Sequence, residues 1–479
     1  MMNTNTLRRL AHIWRMPAGM LAFCLIGCQA TDYQRPSLSI PAEWQHARTI
    51  EPAGGAAPED WWHGFADPVL LDLLKQVRLR NPDLETALLN VRKAQLSVRL
   101  SESDARPSLT GTVGMNGSRT VDSATQWQKS SSTSLSINYE FDLWGRIAAH
   151  QREAGERFIA SRYDQQAARL LSDSTTASVY WDIAALTARL ALSDRRLAQA
   201  QQTVALSKSR YQAGAIAKLE VLQSQRALLS QENSRRDLLG DLQQKRNALA
   251  LLLNQPLADS LPDIPALSST PFMQQIAAGL PSSLLERRPD LMAAEALLRA
   301  TLVQVDQSKA AFFPTFSLTG TMGTSSMSLG NLLQNPVLAL GGAVSMPFLN
   351  WQQHRVERQS RETDYELAVA RFRKSLFTAY QEVDNALGTR ARLLENIEQQ
   401  LSILELSQQD GALSQRRYLA GEVAMQTWLN SIETANQAEE TLLHLRLAQL
   451  HNLADLYKAL GGPPQADKPQ ADSPLESPA

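Results

Sequence analysis

The feature that most constrains the fold is a pair of very long stretches without proline. They run over residues 144–254 and 350–462, and each has one strong interruption, an Ala-Gly site at Gly214 or Gly421. Proline-free segments rich in Ala, Leu, Gln and Arg favour helix. Residues 144–211 alone would form a helix on the order of 100 Å long. Since globular helices average three or four turns, helices of this length need coiled-coil packing.

An apolar stripe along the first long stretch supports this packing. Apolar side chains recur at four- and seven-residue steps before Gly214, and leucines continue the stripe after it. The stripe consists of Leu186, Leu190, Leu197, Val204, Tyr211, Leu222, Leu229, Leu239, Leu242, Leu249 and Leu253. A cytosolic coiled coil or a solenoid of helical hairpins would carry a similar stripe, but the N-terminus and the alternating segments described below argue against both.

The body of the chain is one unit written twice, 207 residues apart. The landmarks that recur at this offset are Pro82-Asp83-Leu84 with Pro289-Asp290-Leu291, Pro107 with Pro314, Trp144 with Trp351, Arg210-Tyr211 with Arg417-Tyr418, and Pro256 with Pro463. A single offset across separate landmarks indicates duplication. We therefore predict repeats over 61–256 and 257–463, with long helices over 144–254 and 350–461. A low-complexity, disordered tail over 464–479 follows.

Each repeat also contains two segments in which apolar and small polar residues alternate. We predict strands at about 108–117, 133–142, 315–324 and 339–348, the length that a tilted strand needs to cross a bilayer. One face would meet lipid and the other a water-filled lumen. Aromatic residues cluster at one end, as in an interfacial girdle: Tyr139, Phe141, Trp144, Phe348 and Trp351. Half-buried hairpins of a small soluble sheet would alternate in the same way.

A membrane interpretation of these strands requires several chains. Unpaired strand edges are not tolerated in lipid, and four strands cannot close a barrel. Three chains would supply twelve strands, an even and closable number. The mean hydropathy of −0.27 and the lack of an apolar run of 18 residues after the N-terminus leave strands as the means of insertion.

The N-terminus resembles a bacterial lipoprotein export signal over residues 1–27. Basic Arg8, Arg9 and Arg15 precede an apolar run that ends in Leu25-Ile26-Gly27-Cys28. We predict that Cys28 carries an N-acyl group and an S-diacylglycerol group, followed by a lipidated linker over 28–60. Residue 29 is Gln rather than Asp, which favours transfer to the outer membrane. The alternative is an ordinary signal peptide with an accidental cysteine.

No constellation for catalysis, metal binding or nucleic-acid binding is present in the sequence. The formal net charge is −1, so no basic excess exists to neutralise phosphates. Phosphate-binding GxxxxGK[ST], zinc-binding HExxH and nucleophilic GxSxG patterns are missing, and the two cysteines are Cys24, in the signal, and Cys28. We expect no enzyme activity, catalytic residue, metal or cofactor apart from the lipid.

Several motifs together resemble the TolC-like outer-membrane efflux factors, in the lipoprotein (NodT/OprM-like) branch that serves resistance-nodulation-division (RND) pumps. The motifs are Asp32-Tyr33-Gln34-Arg35-Pro36, Asn81-Pro82-Asp83-Leu84, Phe141-Asp142-Leu143-Trp144-Gly145-Arg146, Arg287-Arg288-Pro289-Asp290, Phe312-Phe313-Pro314 and Tyr457-Lys458-Ala459-Leu460-Gly461-Gly462. The resemblance covers nearly the whole mature chain. It implies a mixed, mainly α fold: a long coiled-coil α-helical tunnel plus four β-strands per chain that form a 12-stranded trimeric transmembrane β-barrel.

The resemblance also implies a function and partners. A homotrimer in the outer membrane, lipid-anchored and extending into the periplasm, would passively export drugs or other small molecules as part of a tripartite efflux pump. A periplasmic adaptor and an inner-membrane pump of RND or ABC type would complete the assembly. The alternatives are an exit duct of an ABC-type exporter for peptides, siderophores or secondary metabolites, and a periplasmic coiled-coil lipoprotein without a pore.

The same resemblance assigns candidate sites and an equatorial region built from segments such as 60–80 and 256–288. The tip of the tunnel, where the adaptor binds, would be formed by Arg210, Tyr211, Gly214, Arg417, Tyr418 and Gly421. The alternative is that these turns only end the helices and bind no partner protein. In the family an acidic residue and an arginine near the second tip help close the aperture. Here the equivalents are Asn430 and Glu433, with Gln223 and Arg226 in the first hairpin, so the gate contacts are expected to differ.

Overall fold

The computed structural model describes residues 31–37, 43–46, 61–65, 67–119, 127–256, 261–267, 281–327, 333–334 and 336–462. The predicted export signal, the predicted lipidation site Cys28 and the predicted tail over 464–479 lie outside these residues. In chain order the elements are α1 (Pro68–Arg80), α2 (Pro82–Asp104), β1 (Ser108–Ser118), β2 (Gln128–Phe141), α3 (Arg146–Gln212), α4 (Lys218–Leu252), α5 (Leu284–Arg287), α6 (Pro289–Ala310), β3 (Thr315–Ser326), β4 (Val337–Ser345), α7 (Trp351–Leu419) and α8 (Met425–Ala459).

The fold is mainly helical with four strands, as the sequence predicts. The largest differences from the predicted bounds are in β4 and β2. β4 ends at Ser345 rather than at 348, because Pro347 begins a short 3-10 helix over Pro347–Asn350. β2 begins at Gln128 rather than at 133, in a run of serines and lysine that shows no apolar alternation. Among the described residues, no helix combines the length and apolar character needed to cross a membrane.

The chain divides into two compact units. The strand unit contains the described residues of Met1–Ser37, Asn90–Ser161 and Ala293–Arg373, and the helical unit contains those of Leu38–Leu89, Arg162–Met292 and Lys374–Ala479. The strand unit holds all four strands. The helical unit holds the interruptions of the long helices.

Capping residues explain where the helices begin. The Asp67 carboxylate accepts hydrogen bonds from the backbone N–H groups of Val69 and Leu70 at 3.0 and 3.2 Å, at the start of α1. The Asp142 carboxylate accepts from Ile147 and Ala148 at 3.1 and 2.8 Å. These side chains satisfy N–H groups that have no partner within the helix. For this reason α3 starts at Arg146, two residues after the predicted start.

The duplication is visible in the hydrogen bonds where the long helices end in the helical unit. The Asn81 side chain donates to the carbonyl of Leu252 at 3.1 Å, and the Arg288 side chain donates to the carbonyl of Ala459 at 3.2 Å. Asn81 and Arg288 are 207 positions apart, and so are Leu252 and Ala459. Two residues beyond each carbonyl the chain has a positive φ, 56° at Asn254 and 84° at Gly461. The same helix end therefore occurs twice, and we call it the repeated joint: Asn81 in one copy and Arg288 in the other donate to a carbonyl of the last helical turns.

The segment before α2 packs tightly on α3 in the helical unit. Arg78 binds the buried Asp173 through two hydrogen bonds of 2.9 and 2.7 Å, and the Tyr180 hydroxyl donates to Asp67 at 2.6 Å. An aromatic cluster completes this core: Trp62, Phe65, Trp181 and Tyr457. These contacts attach part of the predicted equatorial segment 60–80 to the long helices.

The four strands of the strand unit form one antiparallel sheet in the order β1-β2-β3-β4. The register brings apolar residues side by side across neighbouring strands. One such row is Leu109, Ile137, Gly320 and Leu340, and the next is Leu135, Met322 and Leu338. Side chains alternate between the two faces along each strand, so one face of the sheet is apolar. The small polar residues occupy the other face.

Gly461 tests whether the repeated joint contributes to stability. A Cβ on Gly461 would lie 2.6 Å from the backbone carbonyl oxygen of Arg287, in addition to the strain of its left-handed φ. We expect Gly461→Ala to destabilise the protein by about 1–3 kcal/mol. The matched control, Gly240→Ala in α4, meets nothing within 4 Å and should be neutral or stabilising by up to about 1 kcal/mol. The measurement is thermal unfolding followed by circular dichroism, and equal midpoints for the two variants would contradict the assignment.

Candidate functional site

The apolar face of the sheet is exposed in the single chain. Leu109, Val113, Leu338 and Leu340 are each more than 60 % exposed, and Leu135, Ile137 and Met322 are about half exposed. A soluble monomer rarely exposes a contiguous apolar surface of this kind. The face therefore requires an apolar environment outside the chain.

Aromatic side chains cluster beside this face, where strands meet helices. Tyr139 and Phe141 contact each other with ring centroids 5.0 Å apart, and Trp144 stacks on Phe313 at 4.8 Å. The indole N–H of Trp144 donates to the carbonyl of Pro314 at 2.7 Å. Of the other predicted girdle residues, Phe348 lies in the 3-10 helix after β4 and Trp351 is the first residue of α7. Phe313 was not among the predicted girdle residues, although its Phe-Phe-Pro motif precedes β3 directly.

Residues 31–37, which we call the N-terminal strap, bind α6 within the strand unit. Asp306 accepts hydrogen bonds from the backbone N–H of Thr31 at 2.8 Å and from its hydroxyl at 2.5 Å. Four residues later, Arg35 binds Glu295 through two hydrogen bonds of 2.9 and 2.8 Å, with Tyr33 donating to the same carboxylate at 3.1 Å. Both carboxylates are at least nine-tenths buried. The strap therefore supplies hydrogen-bond donors to two buried acids, and Lys309 of α6 also donates to Asp306 at 3.0 Å.

The two interruptions of the long helices are matching turns in the helical unit. Gly214 and Gly421 adopt the predicted left-handed conformation, with φ of 74° and 79°. In each turn the glycine N–H bonds the carbonyl three residues back, and the next N–H bonds the carbonyl five residues back, at 2.8–3.0 Å. This is the Schellman pattern that closes a helix C-terminus. Both glycines, together with Tyr211 and Arg417, are exposed at the turns.

Tyr418 joins the two hairpins from the inside of the tip. Its ring stacks on Trp428 at 5.1 Å, and the Arg210 guanidinium lies 4.7 Å from the ring centroid. Burial, with the Glu220 carboxylate, outweighs the effect of Arg210 and raises the pKa of the phenol above its ordinary value. Because Tyr418 is only 3 % exposed, the prediction that it is a direct adaptor contact is corrected. It supports the tip instead.

The four predicted aperture residues line one cleft of about 730 Å³ between α3, α4 and α8. Gln223 and Arg226 come from α4, and Asn430 and Glu433 come from α8. Within the described residues, Arg226 and Glu433 form no ion pair. Asn430 accepts a hydrogen bond from Gln426 at 2.7 Å.

The strongest charged contacts of this cleft were not predicted. Arg189 and Arg196 of α3 bind Glu440 of α8, at 2.5 and 3.1 Å. The sequence shows the adjacent pairs Arg195-Arg196 and Glu439-Glu440, but Arg196 and Glu440 are 244 residues apart. Only the packing of α3 against α8 brings them together. Within the described residues, no group of three or more His, Cys, Asp or Glu side chains could hold a metal ion.

A profile of the family described as "Outer membrane efflux protein" matches residues 73–255 and 280–462, which is more than half of the chain. The chain belongs to the outer membrane efflux protein family. The two matches are 207 residues apart, as are the repeats. Membership confirms the predicted outer-membrane location and efflux function, and it argues against a scaffold without a pore.

Individual relatives agree with the family assignment. The chain is 30 % identical to the pyoverdine export outer membrane protein OpmQ of Pseudomonas aeruginosa, over 94 % of this chain and 97 % of the relative. It is 27 % identical to the cation efflux system protein CusC of Escherichia coli K12, over 93 % and 99 %. The open state of the MtrE outer membrane channel of Neisseria gonorrhoeae superposes with a TM-score of 0.77 at 26 % identity, covering 92 % of this chain and 99 % of that one. These proteins are named for export, efflux or channel formation and not for catalysis.

The tip turns of this efflux protein predict a selective loss of transport. Nothing lies within 4 Å of a Cβ placed on Gly421, so Gly421→Val acts through backbone strain alone. A β-branched residue in the left-handed region costs about 1–3 kcal/mol and would distort the turn. We expect export from cells to fall while the amount of assembled protein is unchanged. Gly240→Val, in the middle of α4, is the control and should export normally; unaltered export by Gly421→Val would show that the turn is not critical.

Proposed function

We propose that three copies of this chain form one outer-membrane channel that passively conducts small molecules. The observation that carries this proposal is the four-stranded sheet, whose apolar face is exposed and whose outer strands β1 and β4 each have one unpaired edge within the described chain. In hydrocarbon every backbone N–H and C=O group needs a partner. Pairing β4 of one copy with β1 of the next satisfies these edges. Three copies close a ring of twelve strands.

Exposed leucines on the long helices support the same assembly. The predicted stripe on α4 is only partly covered within the chain, because Leu222, Leu229 and Leu239 are 41–59 % exposed. On α7, Leu394, Leu401, Leu406 and Leu413 are exposed as well. Leucines at near-heptad spacing on an exposed helix face are typical of coiled-coil contacts. Neighbouring copies would cover them.

The N-terminal strap supports a lipid anchor at Cys28. The strap runs antiparallel to α6, with Arg35 at Glu295 and Thr31 at Asp306, four residues before α6 ends. The Thr31 end of the strap therefore lies beside the last turns of α6, which β3 follows in the chain. Three residues span at most about 10 Å, so a lipid on Cys28 would be close to the aromatic residues that flank the strands. This is the level at which an acyl chain enters a bilayer.

The proposed partners are an inner-membrane pump and a periplasmic adaptor. Transport would be driven by an inner-membrane pump of RND type or, alternatively, of ABC type, as in the family to which the chain belongs. A periplasmic adaptor would bind the exposed turn residues Tyr211, Gly214, Arg417 and Gly421, with the half-buried Arg210 beside them. The relatives are named for pyoverdine export and for cation efflux, which supports selection of the substrate by the pump rather than by the channel. We propose small molecules as the exported class.

Conductance in planar lipid bilayers tests the channel itself. The purified trimer should give discrete channel events, and chemical cross-linking in detergent should yield a trimer. A protein that stays monomeric, or that adds no conductance to the bilayer, would overturn the proposal.

A pair of neighbouring strand variants tests which face meets lipid. Leu135 is on the apolar face and Ser134 on the polar face of β2. Leu135→Arg should reduce membrane insertion, because an arginine facing the bilayer midplane costs about 2–4 kcal/mol. Ser134→Arg would face the lumen and should insert normally while altering ion selectivity. The measurement is the amount of heat-modifiable trimer in outer-membrane fractions; equal insertion of both variants would contradict the assigned faces.

Metabolic labelling with palmitate tests the lipid anchor. We expect the wild type to be labelled and Cys28→Ser to lose the label, because only a thiol can carry the diacylglycerol. Cys24→Ser is the matched control and should retain the label. Labelling that persists in Cys28→Ser would refute the site.

A further inference from the structure

Two basic side chains and a tryptophan gather at the end of the sheet that is away from the helices. Arg119 directly follows β1, and Trp127 directly precedes β2. The Arg119 guanidinium carbon is 5.8 Å from the centroid of the Trp127 ring, within the range of a cation–π contact. Lys129 of β2 pairs across the strands with Gly117 of β1. We call Arg119, Trp127 and Lys129 the basic cluster.

The basic cluster lies on the apolar face of the sheet. Lys129 is six residues from Leu135 on the same strand, and an even separation directs both side chains to one face. A Cβ on Gly117, which is opposite Lys129, would lie 3.4 Å from the Trp127 ring, so the ring covers this same face. Arg119 in turn contacts the ring. The two cations are therefore on the face that the proposed channel turns to lipid, and not in its lumen.

The distance from the basic cluster to the aromatic residues at the helix end matches the thickness of a membrane. Tyr139 and Lys129 are ten residues apart on β2, which is about 33 Å along a strand. With a strand tilt of about 40°, this becomes about 25 Å along the membrane normal, the height of the apolar band of an outer-membrane barrel. Since the helices are on the periplasmic side of the proposed channel, the basic cluster lies at the headgroups of the outer leaflet.

No acidic side chain offsets the two cations among the described residues at this end of the sheet. Arg119 and Lys129 are exposed, and neither forms an ion pair with another described residue. Long basic side chains can extend from the lipid-facing surface to the headgroup layer, where they cost little. The described residues at this end, none of which is Asp or Glu, are 115–119, 127–131, 323–327, 333–334 and 336–339.

We propose that the basic cluster binds the phosphate groups of the phosphorylated glycolipid of the outer leaflet, lipopolysaccharide. Arginine and lysine bind phosphate oxygens through charge-assisted hydrogen bonds. The acyl chains of the same lipid would cover Val113 and Met115, which precede Gly117 on the apolar face and are 74 % and 68 % exposed. Contacts to both the headgroup and the chains favour a lipid over a free anion. The site rests on the proposed channel function, and a trimer would carry three copies of it.

Titration with lipid A, the phosphorylated membrane anchor of this glycolipid, tests the site. Native mass spectrometry of the detergent-solubilised trimer would give the number of bound molecules and their affinity, and the wild type should bind up to three. Arg119→Gln/Lys129→Gln should weaken binding by about 25-fold, because each cation at an anionic lipid surface contributes about fivefold. An unchanged affinity of this variant would overturn the proposal.

A swap of two neighbouring residues is the matched control for net charge. Gln128 is next to Lys129, and its side chain is on the polar face of β2. Gln128→Lys/Lys129→Gln keeps the composition but moves the cation to the lumen. The swap should therefore weaken lipid A binding by about fivefold, as Lys129→Gln alone should. Wild-type affinity in the swap would show that net charge attracts the lipid, and it would overturn the assigned face.

Two further outcomes separate the site from a simple anion site and from the channel function. Inorganic phosphate at matched ionic strength should not displace lipid A, because phosphate cannot replace the acyl contacts; displacement would overturn the glycolipid assignment. Only assembled trimers are compared, since native mass spectrometry resolves them from monomers. A wild type that neither assembles nor conducts in planar bilayers would overturn the proposed function. A conducting wild-type trimer that binds no lipid A would overturn the glycolipid site alone.

Discussion

The constraint on which the rest of the structure depends is hydrogen bonding at the two edges of the sheet. A sheet in water can leave β1 and β4 as edges, because water satisfies the outward N–H and C=O groups. In hydrocarbon each unsatisfied group costs several kcal/mol. The exposed apolar face directs the sheet into lipid, and the edges then make a single chain insufficient. The exposed leucines on α4 and α7 fit the same requirement, because association of several chains would cover them.

The periodic features of this protein could be predicted from its sequence. The 207-residue offset appears in the helix ends at Gln212 and Leu419 and in the left-handed residues Asn254 and Gly461. The glycine turns were predicted because only a residue without a side chain adopts that backbone easily. Strand positions were predicted from alternation, and they were wrong where the alternation fails, as in the serine-rich start of β2.

Contacts between distant segments could not be predicted in the same way. Tyr418 stands in the same motif position as Tyr211, yet the first is buried and the second is exposed. The difference comes from Trp428 of α8, which offers a stacking partner, and the sequence does not reveal that neighbour. The arginines of α3 and Glu440 are likewise invisible as a cluster until the register of the two helices is known. Duplicated sequence thus predicts duplicated backbone, while the side-chain roles differ between the copies.

The N-terminal strap has a consequence for the order of events during synthesis. Thr31 and Arg35 are among the earliest residues of the described chain to be made, but Asp306 and Glu295 follow 275 and 260 residues later. Until the second repeat exists, the strap has no docking site, and afterwards the buried Glu295 lacks its Tyr33 and Arg35 partners unless the strap arrives. The strap can therefore dock only after α6 has been made, so it completes the strand unit late in synthesis.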